Sequence, residues 1–171
     1  ITDERTGAAG GIAAKYLARD ASTIGLIGSG DQAWTQMLAY NVVFGNKIRT
    51  VKVYSRHPEH ADALAGRIRA EFGYDARAVL SAQEAADADI IATTTPSRRP
   101  VLIADWVKPG THINAIGADA PGKQELESML TVRSRVFVDS VEQASHSGEI
   151  NVPWSQGLMN REKLAGTIGD I

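Results

Sequence analysis

The feature that most constrains this chain is a six-residue turn, Gly28-Ser29-Gly30-Asp31-Gln32-Ala33. It follows Thr23-Ile24-Gly25-Leu26-Ile27, which reads as a buried strand. It opens a helical stretch from Asp31 to Phe44 with Ala33, Met37, Tyr40 and Phe44 along one stripe. A strand that turns directly into a helix through G-x-G-x-x-A suits a pyrophosphate. Gly28 permits the tight turn, Gly30 lets backbone approach the phosphates with no Cβ in the way, and Ala33 lets helix and strand pack closely. The free N–H groups at the positive end of the helix dipole then face the anion. The strand–turn–helix context favours a dinucleotide over the competing reading, an ordinary glycine-rich βα turn.

The rest of the chain repeats the alternation. Ahead of the first strand, Thr2 is placed to cap a helix carrying Ala9, Ile12, Ala13, Tyr16 and Leu17 at helical spacing. Further strands are expected over residues 50–55, 76–80, 89–94, 111–116 and 135–139. Between them, Pro58 opens a helix striped by Ala61, Leu64, Ala65, Ile68 and Phe72, and Ser81 with Glu84 forms a capping box. Helices are also expected over 123–130 and 141–147, the latter stopping at Gly148, and the pattern weakens beyond. Six strands alternating with helices predict the α/β class with a doubly wound parallel sheet of order 3-2-1-4-5-6. A length of 171 residues, 43% of them hydrophobic, suits a single Rossmann-type domain over 1–171.

Three further segments carry chemistry. The second strand ends in Tyr54-Ser55-Arg56, where NAD-binding domains usually place a carboxylate on the ribose 2′-hydroxyl. With no carboxylate to repel a 2′-phosphate, Ser55 and Arg56 favour NADP over NAD, unless Arg56 simply faces solvent. Thr93-Thr94-Thr95-Pro96-Ser97 follows the fourth strand, where the strand order reverses and a cofactor crevice opens. Its hydroxyls can bind ribose or phosphate, or merely end a Thr-rich strand. Ile116-Gly117-Ala118-Asp119-Ala120-Pro121-Gly122-Lys123 follows the fifth strand. Its small residues leave room for a nicotinamide ring, Asp119 can move a proton or orient an ammonium, and Lys123 can reach a phosphate. Asp119 as a turn residue and Lys123 as a surface charge are the competing reading.

Composition excludes other classes. There is no cysteine, so no disulfide, thiolate metal site or cysteine nucleophile, which is compatible with a cytoplasmic location. The 18 basic and 20 acidic residues give a net charge of −2, no electrostatic case for nucleic acid or an anionic membrane. No apolar run is long enough to span a bilayer. His57, His60, His112 and His146 form no metal-ligand pattern, and no metal is expected.

Taken together, Arg5-Thr6-Gly7-Ala8-Ala9, the GSGDQA turn, TTTPS at 93–97, HINAIGADAPGKQEL at 112–126 and the stretch from Asp139 through Glu142-Gln143-Ala144 to Gly148-Glu149-Ile150-Asn151 carry a resemblance. The chain resembles the ornithine cyclodeaminase/mu-crystallin family over its whole length, and within it the archaeal-type alanine dehydrogenases. The resemblance implies that Arg5 contacts cofactor and substrate carboxylate. It also implies that Asp31 and Gln32 lie at the pyrophosphate, that Thr95 and Ile116 to Asp119 line the cofactor, that Asp119 is the acid/base group, and that Lys123 matches the family's lysine four residues on. The activity implied is interconversion of L-alanine with pyruvate and ammonia. The alternatives are cyclisation of ornithine to proline with NAD recycled, and a non-enzymatic NADP binder of mu-crystallin type. Ser55 departs from the Asp of many NAD-using members. The family's substrate and dimerisation domain, with a catalytic lysine, has no counterpart here. The chain therefore reads as the cofactor half of a longer, homodimeric enzyme, able to bind a dinucleotide but not to turn over alanine or ornithine by itself.

Overall fold

Strand β1 (Thr23–Ile27) is buried at every position after Thr23 and sits at the centre of a five-stranded sheet. Its neighbours are β2 (Thr50–Tyr54) and β4 (Ile90–Thr93), with β3 (Asp75–Ala78) and β5 (His112–Ala115) at the edges, giving the order β3-β2-β1-β4-β5. All four pairings are parallel. The carboxyl ends are level, because Ile27 pairs with both Tyr54 and Thr93, and Thr93 with Ala115. This computed structural model describes residues 2–171, without the side chain of residue 2, so the cap expected of Thr2 lies outside the described residues.

Alternate residues of each strand enter opposite layers, as the two-residue side-chain period demands. Ile24, Leu26, Val51, Val53, Ile90 and Ala92 pack with Met37 and Tyr40 of α2 (Asp31–Phe44) and with Leu64 and Ile68 of α3 (Pro58–Phe72). Ile27 and Ile91 face the other way, onto Ala85 and Ala86 of the short α4 (Ala82–Ala86) and onto Leu102, Leu126 and Leu130. Burial on both faces makes these strands read as apolar runs rather than alternations. Ser81 caps α4 by accepting from the Glu84 amide at 3.1 Å. The Glu84 carboxylate returns to the Leu80 amide rather than to that of Ser81, so the box is half formed.

Helix α1 (Thr2–Leu17) lies against α2 through small residues: a Cβ on Gly7 would stand 2.7 Å from the Thr35 carbonyl, and one on Gly11 2.8 Å from the Ala39 Cβ. A buried amide locks α1, α2 and β5 together. Asn114 Nδ2 donates to the Gly10 carbonyl at 2.9 Å and to the Tyr40 hydroxyl at 2.7 Å, while its Oδ1 faces His112 Nε2. Burial pushes the Tyr40 hydroxyl pKa upward, with the Asn114 contact opposing the shift.

Two expectations are corrected. Residues 123–127 are not helical; the helix is the shorter α5 (Ser128–Arg133). A helix would direct the Glu127 amide to the Lys123 carbonyl. Instead Glu127 donates to Leu102, and the Lys123 carbonyl accepts from Asn151 Nδ2. The segment therefore runs extended, bridging Leu102 through Leu126. The sixth strand, β6 (Val136–Val138), does not join the main sheet. The six residues of α5 span only about 9 Å, too short for a full crossover. β6 pairs in parallel with β7 (Leu164–Thr167), a strand in the weakly patterned tail. Helices α6 (Val141–His146) and α7 (Asn151–Ser155) connect them.

The Asn114 network makes a stability prediction. Asn114→Leu leaves the Gly10 carbonyl and the Tyr40 hydroxyl short of a partner, at about 1–3 kcal/mol per unsatisfied group. A lowered urea midpoint with an unchanged slope is expected, and an unchanged midpoint would show that the network contributes nothing.

Candidate functional site

The carboxyl edge of the sheet opens where the order reverses between β1 and β4. There the Gly28 amide bonds the Tyr54 carbonyl and the Thr94 amide bonds the Ile27 carbonyl, both at 2.9 Å. Gly28 has φ +114, and a Cβ on it would collide with the Thr94 hydroxyl, so a glycine is required twice over. Gly30 is different. It is the N-cap of α2, no side chain caps that end, and a Cβ built on it meets nothing within 4 Å. The unbonded N–H groups of the first turn therefore open onto free space, with Ser29 half-buried and Asp31 exposed beside it.

A cleft of about 1450 Å³ extends from this edge. It brings together Arg5, Gln32, Thr94, Thr95, Pro96, Ile116, Gly117, Ala118, Asp119 and Lys123. Val136, Phe137, Gln143 and Glu149 line it from the β6 side. Of the glycine turn only Gln32 is on its wall; Gly28, Ser29, Gly30 and Asp31, like Ser55, Arg56 and Ser97, are not. Ser55 follows β2 beside the glycine turn, its hydroxyl accepting from the His57 amide at 3.3 Å, and Arg56 is exposed. The Ser97 hydroxyl is engaged within its own turn, donating to the Arg99 carbonyl at 2.6 Å. Asp119 is exposed and paired with the more buried ammonium of Lys123. His57 and His60 are exposed with ring centroids 5.2 Å apart, and no metal-binding group of three or more His, Asp or Glu occurs among the described residues.

Two buried polar atoms at the switch point, Gln32 Oε1 and Thr94 Oγ1, have no partner among the described residues, nor does Thr131 Oγ1 elsewhere on the cleft wall. Buried polar atoms are normally satisfied. Together with the uncapped helix end and the empty space over Gly30, they fit a polar, phosphate-bearing ligand laid across the switch point.

Sequence reasoning gave no role to the groups that shape the floor of the cleft. Glu125 is fully buried and accepts four hydrogen bonds. Those from the Thr95 amide and hydroxyl reach Oε1 at 2.5 and 2.7 Å, and those from the Thr93 hydroxyl and the Gly117 amide reach Oε2 at 2.7 Å each. Burial raises its pKa, against those hydrogen bonds. The Glu149 carboxylate in turn accepts from the Glu125 amide at 3.0 Å and the Leu126 amide at 2.7 Å. Asn151 holds the same turn through the Gly122 amide and the Lys123 and Gly148 carbonyls. The available signal was Pro121-Gly122 directly before the expected helix, a pair that favours a turn.

At the opposite, amino edge a hollow of about 550 Å³ holds charges that largely satisfy one another. Lys52 Nζ lies 3.1 Å from Asp87 Oδ2, and Lys108 bonds the other oxygen of Asp87. No helix among the described residues is long and apolar enough to cross a membrane.

Comparison with known proteins agrees with this geometry. Residues 1–171 match the family model described as the ornithine cyclodeaminase/mu-crystallin family. An alanine dehydrogenase of Archaeoglobus fulgidus is 48% identical over 171 residues, 99% of this chain and 52% of that protein. A solved archaeal alanine dehydrogenase dimer with bound NAD superposes with a TM-score of 0.94 at 48% identity, covering 99% of this chain and 52% of the other. The Δ1-pyrroline-2-carboxylate reductase of Thermococcus litoralis, in complex with NADH and L-proline, gives 0.94 at 36% identity, covering 99% and 53%. The chain thus spans about half the length of the relatives it matches.

Glu149 supplies a pH test. Burial foremost, with the charge of Glu125 adding to it, raises its pKa to about 8, against the hydrogen bonds from Leu126 and Glu125. A carboxyl with a raised folded pKa holds its proton more tightly when folded, so its contribution to stability falls as pH climbs from the ordinary carboxylate range through about 8. Glu149→Gln keeps an acceptor for both amides and cannot ionise. Its melting temperature is expected to match the unaltered chain near pH 5 and to exceed it by several degrees near pH 9. A constant difference across that range would mean that Glu149 is ionised throughout.

Proposed function

The chain belongs to the ornithine cyclodeaminase/mu-crystallin family, and from that premise we propose that it is the nicotinamide-dinucleotide half of an oxidoreductase interconverting an amino acid with its oxo or imino acid, L-alanine with pyruvate and ammonia first. The observation that carries this reading is the cleft that holds Gln32, from the first turn of the uncapped α2, together with Thr94, Thr95, Arg5 and Asp119.

In this reading the N–H groups after Gly30, with Asp31 and Gln32, hold the pyrophosphate. Ser29 lies in the same turn. Thr94, Thr95 and Pro96 hold the ribose side, and Ile116, Gly117 and Ala118 form the wall for the nicotinamide. A bound nicotinamide dinucleotide supplies or accepts the hydride. Arg5 fixes the substrate carboxylate by a bidentate contact. Asp119 takes or returns a proton at the substrate nitrogen, and Lys123, paired with it, orients that carboxylate. Ser55 and Arg56 at the end of β2 admit a 2′-phosphate, so NADP is bound at least as well as NAD. Substrate, and dimerisation of the longer enzyme, are assigned to a facing domain beyond these residues.

Gly30→Val tests the phosphate turn. The added side chain enters open space and meets no protein atom within 4 Å at its Cβ, so the fold is retained, while dinucleotide affinity falls by about tenfold or more by calorimetry. Unchanged affinity in the folded variant would remove the site. Ser55→Asp tests the cofactor: an anion there repels the 2′-phosphate, so preference shifts toward NAD. Tighter binding of NAD than NADP by the unaltered chain would overturn the NADP preference and leave the site standing. For the whole protein, oxidation of reduced cofactor with pyruvate and ammonia is the expected activity. Proline formed from ornithine without net cofactor change would assign it to the cyclodeaminase reaction instead.

A further inference from the structure

We propose that Glu125 is the positioning residue of the nicotinamide wall: its carboxylate ties the end of β4 to the loop after β5 and so sets the floor on which the reacting ring rests. This rests on the dinucleotide reading above. Glu125 is not on the cleft surface, whereas Thr95 and Gly117 are, and it bonds both. The two loops are joined besides by the Ile116 amide on the Thr93 carbonyl at 2.9 Å and, farther out, by the Gln124 amide on the Ser97 carbonyl at 3.2 Å and Arg98 Nη1 on the Pro121 carbonyl at 3.4 Å.

The geometry demands an ionised or fully accepting group. Both carboxylate oxygens take two donors each, all of them neutral hydroxyls or amides. A carboxylate offers about four lone-pair sites, whereas an amide can accept on one atom only and donates from the other. No other side-chain type of this length meets that set. The loops have no slack to compensate. A Cβ on Gly117 would collide with the Thr95 carbonyl and stand 2.7 Å from the Glu125 Cδ, so Gly117 sits directly on Thr95 and on the carboxylate beneath. Glu149 fixes the carboxylate from behind by holding the Glu125 and Leu126 amides. This explains why 123–127 is extended: a helix there would turn Glu125 away from both loops.

The prediction separates the two ends of the ligand. The adenine–pyrophosphate end depends on the Gly28 to Gln32 turn, the nicotinamide end on Thr95 and Gly117. Glu125→Gln sets an amide N–H₂ against the backbone N–H of Thr95 or Gly117 and forces the threonine hydroxyl at the same oxygen to turn from donor to acceptor. By calorimetry it should weaken binding of NADH or NADPH, whichever the unaltered chain binds more tightly, by about tenfold, as expected for a displaced contact wall. Binding of the matching ADP-ribose or 2′-phospho-ADP-ribose should stay within about twofold. If Glu125→Gln does not fold, Thr93→Val takes its place. It removes one buried donor at constant shape, outside the cleft wall, and should give about threefold weaker binding with the same selectivity. Unchanged dinucleotide affinity, or equal loss for both ligands, in the folded variant would show Glu125 to be structural only. Failure of the unaltered chain to bind any of these ligands would instead overturn the dinucleotide reading, and this proposal with it.

Discussion

Parallel strands with level carboxyl ends cannot close their own crevice. With β1 at the centre, the connection from β1 leaves toward β2 and that from β4 toward β5, so the two loops part at the carboxyl edge. The proposed site is built around that parting, with Ser55 and Arg56 beside it at the end of β2. Gly28 turns the chain under it, α2 points its uncapped N–H groups into it, and Thr94 and Gly117 wall it. The apolar layers on both faces hold the strands in this register, since a slip of one residue would exchange the faces of Ile24 and Ile27.

The cost of this arrangement lies in buried carboxylates. Glu125 and Glu149 are both pushed upward in pKa by desolvation, and they lie close enough for the charge of one to act on the other. Such groups persist only when their lone pairs are filled. Here they are filled by backbone and hydroxyl donors from segments far apart in sequence, so the two carboxyl groups act as cross-links between loops. The amide of Asn114 has the same function one layer away, joining α1, α2 and β5.

The parts legible in the sequence were those with local causes. The extents of α2 and α3 follow from the start at Asp31, the start at Pro58 and the apolar stripes that run to Phe44 and Phe72, and the first strand from an apolar run before Gly28. The order of the five main strands follows from alternation and crossover rules. The failures had non-local causes. Residues 123–127 lack a helix because their backbone groups are claimed by Asn151, Val101 and Leu102. The pairing of β6 with β7 was missed because β7 is a Leu-Ala-Gly-Thr segment with almost no strand signal of its own. Among the candidate site residues, Arg5, Gln32, Thr94 to Pro96, Ile116 to Asp119 and Lys123 gathered in one cleft, while Gly28 to Asp31, Ser55, Arg56 and Ser97 did not reach its wall; the buried acceptors that fix the loops carry no motif and were invisible until the loops met.

The central claim is that one ligand bridges the glycine turn and the two strand-end loops. Amide hydrogen exchange of the chain with and without NADPH or NADH tests it most directly, because protection reports local opening segment by segment. The account predicts added protection over three separated segments, 29–33, 94–97 and 116–119, with the amino edge around Lys52 and Asp87 unchanged. Protection confined to the amino edge, or to the glycine turn without the other two loops, would contradict it.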